Sequence, residues 1–265
     1  MKPLLGTQLN RSHPLAKGLV GCWVMNEGAG NKIYDLSGNG NDGSFPGGTA
    51  NPLWKPGRTG PALEFDGADD YVSIGDSDEL SITGDLTIVA WIYPKAIDGI
   101  NRYEIVAKRV NDTNREYEFR IDTDSKPHYL DDGVNEAFDS TVSINNWTFV
   151  AFTRSGTSLS FYKNGVTDGT GTADGTIGDT VSNIGIGSRA DGINFAPFNG
   201  LIDDVQIYNR ALTSSEVMQL YLDPYCMFET VPIWQMTSVG WLHYIMGKYN
   251  PTRIITSPYS KAIGV

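Results

Sequence analysis

Turn signals recur along this chain at short intervals. Asp66-Gly67, Asp98-Gly99, Asp132-Gly133, Asn164-Gly165, Asp174-Gly175 and Asp191-Gly192 are all Asx-Gly pairs. Such pairs favour the positive-φ turns that join antiparallel strands. Many of the stretches between them are rich in Val, Ile, Phe, Tyr and Trp, and Ser158–Lys163 alternates cleanly before Asn164-Gly165. Many short strands punctuated in this way predict an all-β sandwich or barrel. At 265 residues the chain is long enough to bury a full core.

Strands are expected at about 19–26, 62–66, 70–75, 86–93, 103–109, 116–122, 147–154, 158–163, 183–187 and 201–208. One short helix is expected near 213–222. Thr213 and Glu216 have capping-box spacing, Val217, Leu220 and Tyr221 form an apolar face, and Asp223-Pro224 ends it. Two acids, Asp203 and Asp204, interrupt the apolar strand before that helix. Strict alternation places Asp203 with Leu201, Val205 and Ile207, and Asp204 on the opposite face with Ile202, Gln206 and Tyr208. A half-buried carboxylate needs a partner, so Asp203 is expected to be paired, hydrogen-bonded or metal-bound.

The net charge of −11 argues against a nucleic-acid partner. All 31 acids fall within 21–229, while 1–20 and 230–265 carry only bases. Residues 1–18 read as an extended arm and 230–265 as an aromatic, basic tail. The run 231–247 is apolar but short and interrupted by Pro232, Gln235 and His243, so no membrane span is expected. The first residues lack the apolar core of a secretory signal. Cys22 and Cys226 are expected as two thiols, with a disulfide as the alternative.

No catalytic residues are assigned. Glu116, Glu118 and Asp122 share strand parity and read as the solvated face of an outer strand. His13, His128 and His243 are isolated from one another in sequence.

Several motifs together resemble a known family. They are Gly18-Leu19-Val20-Gly21-Cys22-Trp23, Asp35-Leu36-Ser37-Gly38-Asn39-Gly40-Asn41-Asp42-Gly43 and Ala62-Leu63-Glu64-Phe65-Asp66-Gly67. Leu86-Thr87-Ile88-Val89-Ala90-Trp91-Ile92-Tyr93, Trp147-Thr148-Phe149-Val150-Ala151 and the stretch Gly200 to Leu212 follow in order. The chain resembles laminin G-like, concanavalin A-like domains over about 18–222. The resemblance implies a two-sheet antiparallel jelly-roll sandwich over 19–229. It also implies one structural calcium held by Asp35, Asn39, Asn41 and Asp203, with Asp42 nearby. The alternative, left open, is that Asp203 hydrogen-bonds that loop without an ion.

Glycan binding is the function the fold implies, with Tyr103, Tyr129, Arg189, Asn194, Phe195 and Phe198 as the contact residues. The start 8–16 and the junction 223–228 resemble laminin G-like proteins of tailed phages and prophages. That narrower resemblance implies a non-catalytic virion decoration protein, assembled with other virion proteins or with itself as a homo-oligomer. Arg11, Lys17, Trp234, Trp241, Tyr244 and Arg253 are then assembly residues. The alternatives are a carbohydrate-binding module unconnected to a virion and a degenerate glycoside hydrolase.

Overall fold

The computed structural model describes residues 2, 3, 6–111, 114–174, 177–190 and 196–229. Met1–Phe228 form one compact unit, and of the second unit, Glu229–Val265, only Glu229 is among the described residues.

The described chain is built from sixteen strands and one α-helix. In order they are β1 Leu19–Trp23, β2 Lys32–Ile33, β3 Gly43–Ser44, β4 Leu53–Pro56, β5 Pro61–Asp66, β6 Val72–Ile74, β7 Leu86–Pro94 and β8 Tyr103–Asn111. There follow β9 Asn114–Ile121, β10 Pro127–Asp131, β11 Val134–Ala137, β12 Thr148–Ser155, β13 Ser158–Lys163, β14 Val166–Thr172, β15 Ile184–Ile186, β16 Asn199–Tyr208 and α1 Ser214–Leu222. The first sheet runs β14-β13-β12-β7-β16-β5-β4, with β1 also on β16. The second runs β11-β10-β9-β8-β15-β6-β3-β2. Every pairing is antiparallel. The expected two-sheet jelly roll is therefore the observed fold.

Alternation decides what each sheet buries. Ile88, Ala90 and Ile92 of β7, with Val150 and Phe152 of β12, face the core between the sheets. There they meet a ring cluster in which Tyr129 and Phe152 lie 4.4 Å apart and Phe138 and Phe161 5.0 Å apart. The intervening residues Val89, Trp91, Phe149 and Ala151 form a second apolar cluster on the outer face of the first sheet. α1 covers it through Val217 and Leu220, with the capping box of Thr213 and Glu216 in place. Asp223 ends the helix, as the following proline requires.

The N-terminal stretch is part of this layer, not a free arm. Leu15 is fully buried in it, Leu9 bridges to Phe228, and Asn10 N–H donates to the Met227 carbonyl at 2.8 Å. Cys22 and Cys226 are both free thiols.

Six described strands escape the sequence pattern. β2, β3 and β4 are short pieces within the Gly-, Asn- and Pro-rich stretch 27–61, and β10, β11 and β14 lack a long apolar face. The alternation drawn through β16 also fails at one point. Asp203 pairs opposite Trp91 and Gln206 opposite Val89, so two residues of β16 face one of β7. This is a β-bulge, and Asp204 adopts φ 49° within it. The bulge resets parity: Ile202, Val205 and Ile207 all face the inter-sheet core. The two acids between them are consequently neighbours and not on opposite faces.

Candidate ligand-binding site

A cleft of about 710 Å³ opens at one end of the sandwich where four connections meet. These are the β5–β6 turn at Gly67, the β7–β8 loop, the β9–β10 turn at Thr123 and the start of β16. The β7–β8 loop supplies most of its functional groups. Asp98 organises that loop by accepting the N–H groups of Ile100 at 2.9 Å and Asn101 at 2.8 Å, and the Asn101 side-chain amide at 2.6 Å. Those bonds hold its carboxyl down at about 2. Ile100 projects into solvent at 79% exposure, beside the exposed amide of Asn101. Arg102 reaches Asp122 at 3.4 Å while its side chain stays partly accessible.

The opposite wall is Asn199, which donates to the Asp66 carbonyl at 3.3 Å. It closes on Gly67, whose φ of 80° and lack of a side chain allow the approach. A Cβ at Gly67 would lie 2.6 Å from Asn199 Nδ2. Behind Gly67, the carboxylates of Asp66, Asp69 and Asp70 lie within 4.8 Å of one another. Asp70 is buried, and burial together with its acidic neighbours pushes its carboxyl up to about 6.

The expected contact residues fall in different places. Tyr103 lines the cleft, although its ring is mostly buried. Tyr129 does not: it is fully buried between the sheets, donating to Asp131 at 2.8 Å and accepting from Arg154 at 3.0 Å. Phe198 is also fully buried, edge-on to Phe65. Both follow strand parity into the core: Tyr129 is the central residue of β10, and Phe198, one residue before β16, shares the inward parity of Ile202. Arg189 is buried and donates to the Val110 carbonyl. Asn194 and Phe195 lie outside the described residues. Asp98, Ile100, Arg102 and Asn199 lie outside the residues expected from sequence. The one signal among them is the Asp98-Gly99 pair, which marks a turn.

The acids of β9 also differ from expectation. Glu116, Glu118 and Asp122 are buried, not solvated. Glu118 is held by Arg109 at 3.4 Å, Arg115 at 2.9 Å and Arg120, Glu116 by Lys108, and Asp122 by Arg120 at 2.5 Å. Each carboxylate already has a cationic partner, so this ladder braces β8 against β9.

The calcium expectation can be compared with the donor set. Asp35 Oδ1 accepts from Cys22 N at 2.9 Å and Ser37 N at 2.8 Å. Its Oδ2 accepts from Ser37 Oγ at 2.7 Å and Asn41 N at 3.0 Å. Asn39 and Asn41 both direct amide N–H groups at the Val20 carbonyl. Asp42 accepts the Asp35 N–H. Donors thus surround Asp35 on every side, an arrangement suited to a carboxylate without an ion. Asp203 bonds instead to Lys2 and to the Asp204 N–H. The four residues do not fit a single metal ion.

Of the expected assembly residues, Arg11 and Lys17 are exposed, and Trp234, Trp241, Tyr244 and Arg253 lie outside the described residues. No described helix is long and apolar enough to cross a membrane.

Comparison with known proteins agrees with this architecture. The binding domain of Paraclostridial Mosquitocidal Protein 1 superposes with a TM-score of 0.63 at 20% identity, covering 80% of this chain and 53% of that one. Domain 4 of the extracellular GH43 arabinanase AbnA from Geobacillus stearothermophilus, solved with arabinotriose, gives 0.61 at 18% identity, covering 77% and 98%. A Trypanosoma rangeli sialidase gives 0.57 at 17% identity, covering 79% and 33%. The chain thus spans about half of the mosquitocidal binding domain and a third of the sialidase. No curated protein matches the sequence. The family model Laminin_G_3 matches residues 66–218, from the cleft's β5–β6 turn into α1. The chain belongs to that family, within the concanavalin A-like lectin/glucanases superfamily.

Proposed function

We propose that this domain is a non-catalytic carbohydrate-binding module whose site is the loop-end cleft. The observation that carries this reading is the cleft itself. It sets an apolar surface at Ile100 beside the planar polar groups of Asn101, Arg102 and Asn199, with Asp98 ionised behind them. A sugar presents an apolar ring face and fixed hydroxyl donors and acceptors, and it needs both kinds of surface. That an arabinanase domain of the same fold was solved with arabinotriose supports the ligand class. The ion-paired state of Glu116, Glu118 and Asp122 supports the non-catalytic reading. An acid/base pair needs carboxyls that can reach substrate and change protonation.

The test is a glycan array followed by calorimetry on arabino- and sialo-oligosaccharides. Asn101→Ala and Asn199→Ala are expected to weaken binding at least tenfold while leaving the melting temperature within a few degrees. Binding that survives both changes would move the site elsewhere, and hydrolysis of any bound glycan would overturn the non-catalytic reading.

The finer reading is display on a virion, with the module facing host-surface polysaccharide. It rests on the acid-free basic ends of the chain. Residues 1–18 pack onto the domain, so the anchoring role falls to 230–265. Immunogold labelling of particles tests it; absence of label from particles made in a host expressing the protein would remove it.

A further inference from the structure

The β16 bulge lies where that strand changes neighbour. β5 pairs with Asn199 to Ile202 and β1 pairs with Val205 onward, so Asp203 and Asp204 fall in the gap between the two. Lys2 fills this gap. Its ammonium donates to the Val24 carbonyl at 2.7 Å, the Met25 carbonyl at 3.2 Å, the Pro61 carbonyl at 2.5 Å and Asp203 Oδ1. The Lys2 side chain is 5% exposed and that of Asp203 0%.

Four oxygens surround a group with only three N–H bonds. A fifth, Asp203 Oδ2, is buried without a partner among the described residues. Asp204 adds a second buried carboxylate, bonded to the Tyr225 hydroxyl at 2.8 and 2.7 Å and 3.9 Å from Arg58. Met25 and Asp204, on the two segments that meet here, are both non-glycine residues with positive φ, 54° and 49°. An oxygen-rich pocket of carbonyls and a carboxylate, with more oxygens than an ammonium has N–H bonds, is also the environment that hard cations select.

We propose that Lys2 is a tethered cation. It occupies an oxygen cage formed by Val24, Met25, Pro61 and Asp203, and so takes the place that a bound hard metal ion would fill. The N-terminal segment is thereby stapled to the last strand, and the domain is independent of metal as long as Lys2 is in the cage. Once Lys2 is removed, the cage accepts a divalent cation from solution.

The test uses the full chain carrying Lys2→Met, followed by calorimetry in chelator, in calcium chloride and in sodium chloride of matched ionic strength. The unaltered protein is expected to melt at the same temperature in all three. The variant should melt about 10 °C lower in chelator, because it leaves a buried carboxylate unpaired, and calcium should restore most of the loss where sodium does not. If the variant fails to fold in chelator, folding in calcium supports the proposal and continued failure overturns it. A variant as stable as the parent in chelator, or one that gains no more from calcium than from sodium, also overturns it. The double change Lys2→Met/Asp203→Asn should abolish the calcium response. A retained response would place the ion elsewhere, at the Asp66, Asp69 and Asp70 trio for example, and sink the proposal.

Discussion

At the scale of single residues, burial and backbone geometry decide more than residue type. Asp70 shows the first. Its carboxyl is pushed up to about 6 from an ordinary value of 3.8, so between those values the folded chain holds more protons than the unfolded one. Its contribution to stability is therefore complete below about pH 4 and is lost as the pH rises through 6. Asp70→Asn should keep the acceptor for the Asp66 N–H, raise stability at pH 7 by about 1 kcal/mol after solvent screening, and flatten the pH dependence of urea midpoints between 4 and 6. Unchanged midpoints at pH 7 would mean that the acidic trio is relieved by something other than protonation. Gly200 shows the second. With φ 144°, a Cβ there would lie 2.2 Å from the Tyr93 carbonyl oxygen and 2.9 Å from Pro94 Cα. Both are backbone atoms of the neighbouring strand and cannot swing away. Gly200→Ala is expected to cost about 3 kcal/mol in chemical denaturation.

At the scale of elements, the sequence was legible wherever a local rule has no competitor. The helix was readable because the capping box, the apolar face and Asp223-Pro224 all agree. Thr213→Ala removes the acceptor for the Glu216 N–H and should cost about 1 kcal/mol in a urea melt. The Glu216–Arg210 pair at 2.8 Å would keep the helix anchored. β16 was less legible because alternation assumes an unbroken strand, and nothing in Ile202-Asp203-Asp204-Val205 announces a bulge. Asp204 lacks the glycine that commonly marks a positive φ. β9 was legible in parity but not in burial. Its outward acids look solvated until the arginines of β8 and β9 are placed beside them, and that pairing depends on register between strands. The cleft was the least legible feature. Its groups come from four connections separated in sequence, and only the fold brings Asn199 against the turn at Gly67.

At the scale of the molecule, the first sheet is covered on both faces, which sets how the chain can be cut. Its outer cluster takes in Leu15, Leu19, Val217, Leu220, Met227 and Phe228, so both ends of the compact unit are built into one apolar layer. Removing the N-terminal stretch would uncover that layer and withdraw Lys2 from its cage. The described members of both apolar clusters all precede Glu229. A chain of 1–229 is therefore expected to unfold in one cooperative transition, within a few degrees of the full-length protein, and to bind the same glycans with unchanged affinity. If residues 230–265 carry assembly, the shortened chain should be monomeric by light scattering where the full chain is not, and should fail to join particles. Equal masses for the two chains would remove the assembly role of the tail. They would leave the carbohydrate-binding reading untouched, because the described residues that line the cleft lie between Gly67 and Asn199.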